Sequence, residues 1–74
     1  MTQFEKDLKA SILRTVAQAK QEGTVGMGLA NLRMITNPPS YYTEGCPRGT
    51  NAQYYYAQLF EQVARATVPA FLID

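Results

Sequence analysis

An all-α domain is the fold class the sequence predicts, and three observations predict it. Two long stretches carry apolar residues at helical spacing. Each has its own start and stop signal. What lies between them is too rich in glycine and proline to form a third long element. The expected arrangement is two long antiparallel helices plus a short middle helix, in a single domain of residues 1–74 with a loop at 37–49. An α+β alternative stays open, with a short two-stranded sheet built from 24–35 and 69–73.

The first helix is expected over residues 2–22. Thr2 and Glu5 have the capping-box spacing, in which each side chain satisfies an orphaned backbone N–H. Glu5 and Asp7 sit where the positive end of the helix dipole favours acids. Phe4, Leu8, Ile12, Val16 and Ala19 recur on one face, with Leu13 at its edge, while Lys6, Lys9, Arg14, Gln18 and Gln21 project elsewhere. Gly23 is placed to close the helix in the left-handed region.

The middle segment, TVGMGLANLRMI over 24–35, reads two ways. As a helix, Val25, Leu29 and Leu32 share one face. As a strand, Val25, Met27 and Leu29 alternate with Gly26, Gly28 and Ala30. Both glycines weaken either reading. The better formers from Leu29 to Met34 favour a helix beginning near Gly26. If the segment is a strand, its partner is the apolar tail after Pro69. Next comes NPPSYYTEGCPRG, a loop with three prolines and two glycines. A loop of this length in so small a domain is often functional.

The last helix is expected over 50–68. Thr50 is read as the N-cap, with Gln53 at capping-box spacing. Tyr56, Leu59, Phe60 and Val63 share one face, and Tyr55 lies beside them. Pro69 ends the helix, because it lacks an N–H and disfavours helical backbone angles at Val68. The tail Ala70-Phe71-Leu72-Ile73 is too apolar to hang free. It folds onto the core, forms a short strand, or docks on a second copy. The expected core is Phe4, Leu8, Ile12, Val16, Leu29, Leu32, Tyr56, Leu59, Phe60 and Val63.

Composition bounds the function. Ordering a chain costs roughly 1.5 kcal/mol per residue, which burial in a domain this small only just offsets. One cysteine permits no internal disulfide, and the absence of histidine removes the usual zinc sets. Self-association is the remaining common stabiliser, so a homo-oligomer, with a dimer favoured, is expected. A formal charge of +1, from seven basic and six acidic residues, argues against a nucleic-acid partner held through phosphates. No apolar run approaches the ~20 residues that span a bilayer. The acidic, polar start MTQFEKDLK has no secretory pattern, and the lone cysteine fits a reducing compartment, so a cytoplasmic location is expected.

The same inventory points away from an enzyme. Without histidine there is no Ser-His or Cys-His pair. Neither a P-loop nor a dinucleotide-binding glycine motif occurs, and no cofactor is expected. Cys46 stands two residues from Arg48, a neighbour of the kind that makes a thiol reactive, but it has neither a resolving cysteine nor a base beside it, and an incidental loop cysteine is the favoured reading.

What rises above background is tyrosine and arginine. All five tyrosines, Tyr41, Tyr42, Tyr54, Tyr55 and Tyr56, fall within one stretch around Arg48. These side chains dominate interface hot spots, since each joins contact area to a polar tip. The candidate binding residues are therefore Tyr41, Tyr42, Arg48, Thr50, Asn51, Tyr54 and Tyr55. The expected function is a small non-enzymatic protein-interaction module, an adaptor, regulator or inhibitor, phage-encoded inhibitors being one class of such proteins. The alternative is a nucleotide or other anion held by the same cluster and the helix N-terminus at 49–52. A third possibility is that the tyrosines merely wall off a small core.

Overall fold

A computed structural model describes residues 2–38, 46 and 48–73 of the chain. It is mostly helical, with a small sheet, in the order α1 (Gln3–Gln21), β1 (Met27–Gly28), α2 (Leu29–Ile35), α3 (Ala52–Thr67) and β2 (Leu72–Ile73).

The ends of α1 form as their residues dictate. The Glu5 backbone N–H donates to Thr2 Oγ1 at 3.1 Å, so Thr2 is the N-cap. At the other end Gly23 takes φ +92°. Its N–H donates to the Lys20 carbonyl at 3.1 Å, and the Thr24 N–H to the Ala19 carbonyl at 2.9 Å. This paired closure is the Schellman motif, and it requires the left-handed residue that glycine supplies without strain.

The middle segment divides between the two expectations. Gly26 and Gly28 do not join a helix: Gly28 is extended, with φ −66° and ψ 150°, and caps α2. The helix starts at Leu29, later than expected, and ends where the buried Thr36 hydroxyl donates to the Leu32 carbonyl at 2.7 Å. Ahead of it, β1 pairs in parallel with β2, Met27 opposite Leu72 and Gly28 opposite Ile73. A two-stranded sheet from the middle segment and the tail is thus present alongside the helix.

The two long helices run in the same direction, which corrects the antiparallel expectation. Near their starts, the Phe4 and Tyr56 rings meet edge-on at 6.5 Å between centroids and 86°. Near their ends, Lys20 Nζ stands 5.9 Å from the centre of the Phe71 ring, just after α3. The physical reason is that the middle of the chain makes a full return run. Ile35 and Asn37, at the far end of α2, lie beside Ser11 and Thr15 of α1. Thr36 and Pro38 lie beside Gln53 and Ala57 of α3. The chain therefore goes up, back and up again, and β1 and β2 meet at the same end. A parallel strand pair needs such a crossover.

The core lies between α1 and α3 with α2 on one side. Phe4, Leu8, Ile12, Val16, Ala19, Leu32, Tyr56, Phe60, Val63, Ala64 and Phe71 are buried. Leu29 and Leu59, expected in the core, are partly buried and pack against it. Phe71 settles the tail's first turn: it folds onto its own chain.

Candidate functional site

Of the candidate residues, Arg48, Thr50, Asn51, Tyr54 and Tyr55 stand around the start of α3, and their geometry begins with the cap. Asn51, rather than the expected Thr50, holds that position. Its Oδ1 accepts from the backbone N–H groups of Gln53 at 2.9 Å and Tyr54 at 3.1 Å. The Tyr55 N–H donates to the Asn51 carbonyl at 2.9 Å. Asparagine outranks threonine as an N-cap, and Gly49, at φ +82°, turns the chain immediately before it. Thr50 is left exposed outside the helix, its carbonyl accepting a long contact of 3.5 Å from Cys46 Sγ.

The three consecutive tyrosines then separate, because successive helical side chains point about 100° apart. Tyr54 faces solvent and is 61% exposed. Its hydroxyl accepts from the Gln58 amide at 2.9 Å, one turn further on. Tyr55 is half-buried. Tyr56 enters the core between Phe4 and Phe60, whose ring centre is 6.0 Å away. Arg48 is exposed. Arg48, Thr50, Asn51 and Tyr54 are thus brought to the surface at one end of α3, with Tyr55 at its margin. Tyr41 and Tyr42 lie outside the described residues.

Electrostatically the site is built from one exposed arginine and the positive end of α3. That end is largely spent, since two of the orphan donors an anion would use, the N–H groups of Gln53 and Tyr54, already bond to the Asn51 side chain. Among the described residues no group of histidine, cysteine, aspartate or glutamate could hold a metal ion.

Two features escaped the sequence reading. Gln58 fixes the Tyr54 hydroxyl. Beside the site, between the end of α2 and the start of α3, lies an open cleft of about 400 Å³ edged by Arg33, Met34, Gln53 and the side of Tyr56. Met34 is 80% exposed there. The available signal was LANLRMI itself, apolar on nearly every side, whereas so short a helix resting on one face buries only part of its surface. No described helix is long and apolar enough to cross a membrane. Comparison with protein-family models, with curated proteins and with solved structures gives no match.

Proposed function

We propose that this chain is a cytoplasmic, non-enzymatic protein-interaction module, an adaptor, regulator or inhibitor of the kind that phages also encode. It binds its partner through the start of α3 and the Tyr/Arg-bearing loop before it. The observation that carries the reading is Tyr54. A large aromatic stands in water on the first turn of a well-capped helix, with its hydroxyl already oriented by Gln58. An aromatic held in place loses little freedom on binding, which is what makes tyrosine an effective anchor. Met34 and Arg33, across the adjacent cleft, add an adaptable apolar chain and a cation of the same type.

This reading is preferred to the anion site because Asn51 occupies the N–H groups that an anion needs. Self-association as a dimer belongs to the same proposal, with exposed Val25 and Ile73 beside the sheet as its apolar contribution. The test is capture of protein from lysate, identified by mass spectrometry, using the wild-type chain and the variants Tyr42→Ala, Arg48→Ala and Tyr54→Ala. Capture should fall in each while the far-UV circular dichroism melt stays nearly unchanged. Variants that melt early would assign these residues to the fold instead. A thermal-shift screen separates the anion reading, since a ligand at 100 times its dissociation constant stabilises by about 2.7 kcal/mol.

A further inference from the structure

We propose that the outer stripe of α1 formed by Lys6, Lys9, Leu13 and Lys20 is a second docking surface, shaped for an acidic protein segment whose carboxylates flank an apolar side chain. Lys6, Leu13 and Lys20 follow one another at intervals of seven residues. Seven residues are almost two helical turns, with a drift of only about 20°, so the three side chains form a line. Lys9 stands within one turn of both Lys6 and Leu13. The line is about 21 Å long at 1.5 Å per residue. All four residues are exposed, Leu13 by 45%.

Asp7 and Glu22 lie off this line, and Glu5 borders it one turn before Lys9 without pairing with it. Asp7 accepts from the Gln3 amide at 2.9 Å, and Glu22 from the Gln18 amide at 3.0 Å. Glu5 accepts from the Thr2 hydroxyl at 3.2 Å. Each acid is therefore held by a neutral neighbour. Among the described residues Lys6, Lys9 and Lys20 make no ion pair. Arg14 leans to the opposite flank, where it donates to Ser11 Oγ at 3.3 Å. Three ammonium groups without an ion pair among the described residues thus surround a single leucine.

That leucine decides the class of partner. A phosphate backbone has no use for an apolar centre, and a chain of net charge +1 lacks the general field that nucleic-acid binding relies on. Three lysines give an anionic membrane only about 1 kcal/mol each, and the apolar face that would add insertion is inside the core. An acidic protein segment uses both features: carboxylates on the lysines give steering and register, and an apolar side chain covers Leu13.

The test uses the whole chain and a fluorescent synthetic helical peptide with glutamates at seven-residue spacing on either side of a central leucine. Its controls are a scrambled peptide of equal composition, single-stranded DNA and phosphatidylserine vesicles. Anisotropy should report binding of the patterned peptide at low salt, and loss of it at about 1 M salt, where the screening length is about 3 Å. The double variant Lys6→Glu/Lys9→Glu, which spares Lys20 and its Phe71 contact, should weaken binding by about tenfold or more. Lys6→Ala/Lys9→Ala should have a smaller effect of the same sign, and Arg14→Glu, felt only through the long-range field, should weaken binding clearly less than the double reversal. Unchanged dichroism melts confirm that the variants fold. Equal binding of the scrambled peptide, equal loss in Arg14→Glu, preference for DNA or vesicles, or no binding at low salt would each overturn the proposal.

Discussion

Replacing Phe71 by alanine tests whether the tail belongs to the core of its own chain. The ring is 3% exposed and lies under the Lys20 ammonium. Truncating a buried phenylalanine costs about 3–5 kcal/mol, the lost transfer energy plus the cavity left behind. The cation–ring contact adds about 0.5–1 kcal/mol, at the lower end because Lys20 is in water. A domain of 74 residues has about 4–11 kcal/mol of stability in all, at about 0.05–0.15 kcal/mol per residue. Phe71→Ala should therefore remove a third or more of it. With a urea slope of about 1 kcal/mol per molar, the midpoint should fall by about 3 M, or the native baseline should vanish. Phe71→Leu, which keeps most of the volume, should cost only about 1 kcal/mol. Urea melts at two protein concentrations, paired with light scattering, provide the assay. A midpoint within about 0.5 M of wild type, accompanied by loss of a dimer, would refute the reasoning. The ring would then be buried between copies.

Two further substitutions probe the elements that differ from simple expectation. Asn51→Ala should cost about 1 kcal/mol, since it removes the acceptor of two backbone N–H groups. Thr50→Ala should be neutral within about 0.5 kcal/mol; the reverse ranking in urea melts would move the cap back to Thr50. At Gly26 a Cβ would stand 2.9 Å from Ile73 Cδ1 and Cγ1 and 3.1 Å from the Phe71 carbonyl oxygen. The half-exposed Ile73 side chain can swing away, but that carbonyl is held by the Met27 N–H at 3.0 Å. Gly26→Ala should therefore destabilise by about 1 kcal/mol, despite the ~0.4–1 kcal/mol that the stiffer unfolded chain returns. An Ile73→Ala background should reduce the loss. A raised midpoint in Gly26→Ala would show that the strands do not approach so closely.

The helices were legible because two signals coincide in each: a 3.6-residue apolar stripe and chemically definite ends. Thr2, Gly23 and Pro69 mark three of those ends as read. The fourth was misplaced because Thr50 and Asn51 are adjacent cap formers, and the Gln53 spacing favoured the wrong one. Relative direction was not legible at all. A stripe says which face is buried and nothing of which way the neighbour runs; that follows from whether the chain between turns back once or travels the whole length. The sheet was half visible, as an alternation broken by Gly26 and Gly28. Two-residue strands leave too short a pattern to separate from a helix start. At the site, the divergence of Tyr54 from Tyr56 follows directly from helical periodicity. The cleft beside it does not, because it depends on where the end of α2 comes to rest.

The parallel arrangement of the long helices also decides how the surfaces are distributed. The start of α3, with Arg48 and Tyr54, lies at the end where α1 begins, while Val25, Ile73 and the sheet lie where both helices finish. The two ends are separated by the length of α3, about 24 Å for its 16 residues. Had the helices been antiparallel, the tail would have pointed away from β1 and left Phe71 without Lys20 over its ring. Instead the fold closes one end with the tail and leaves the other to Arg48, Tyr54 and Tyr55. Perturbations more than about 10 Å apart act independently. A partner on Tyr54 and a second copy on Ile73, as proposed, would therefore not compete for surface.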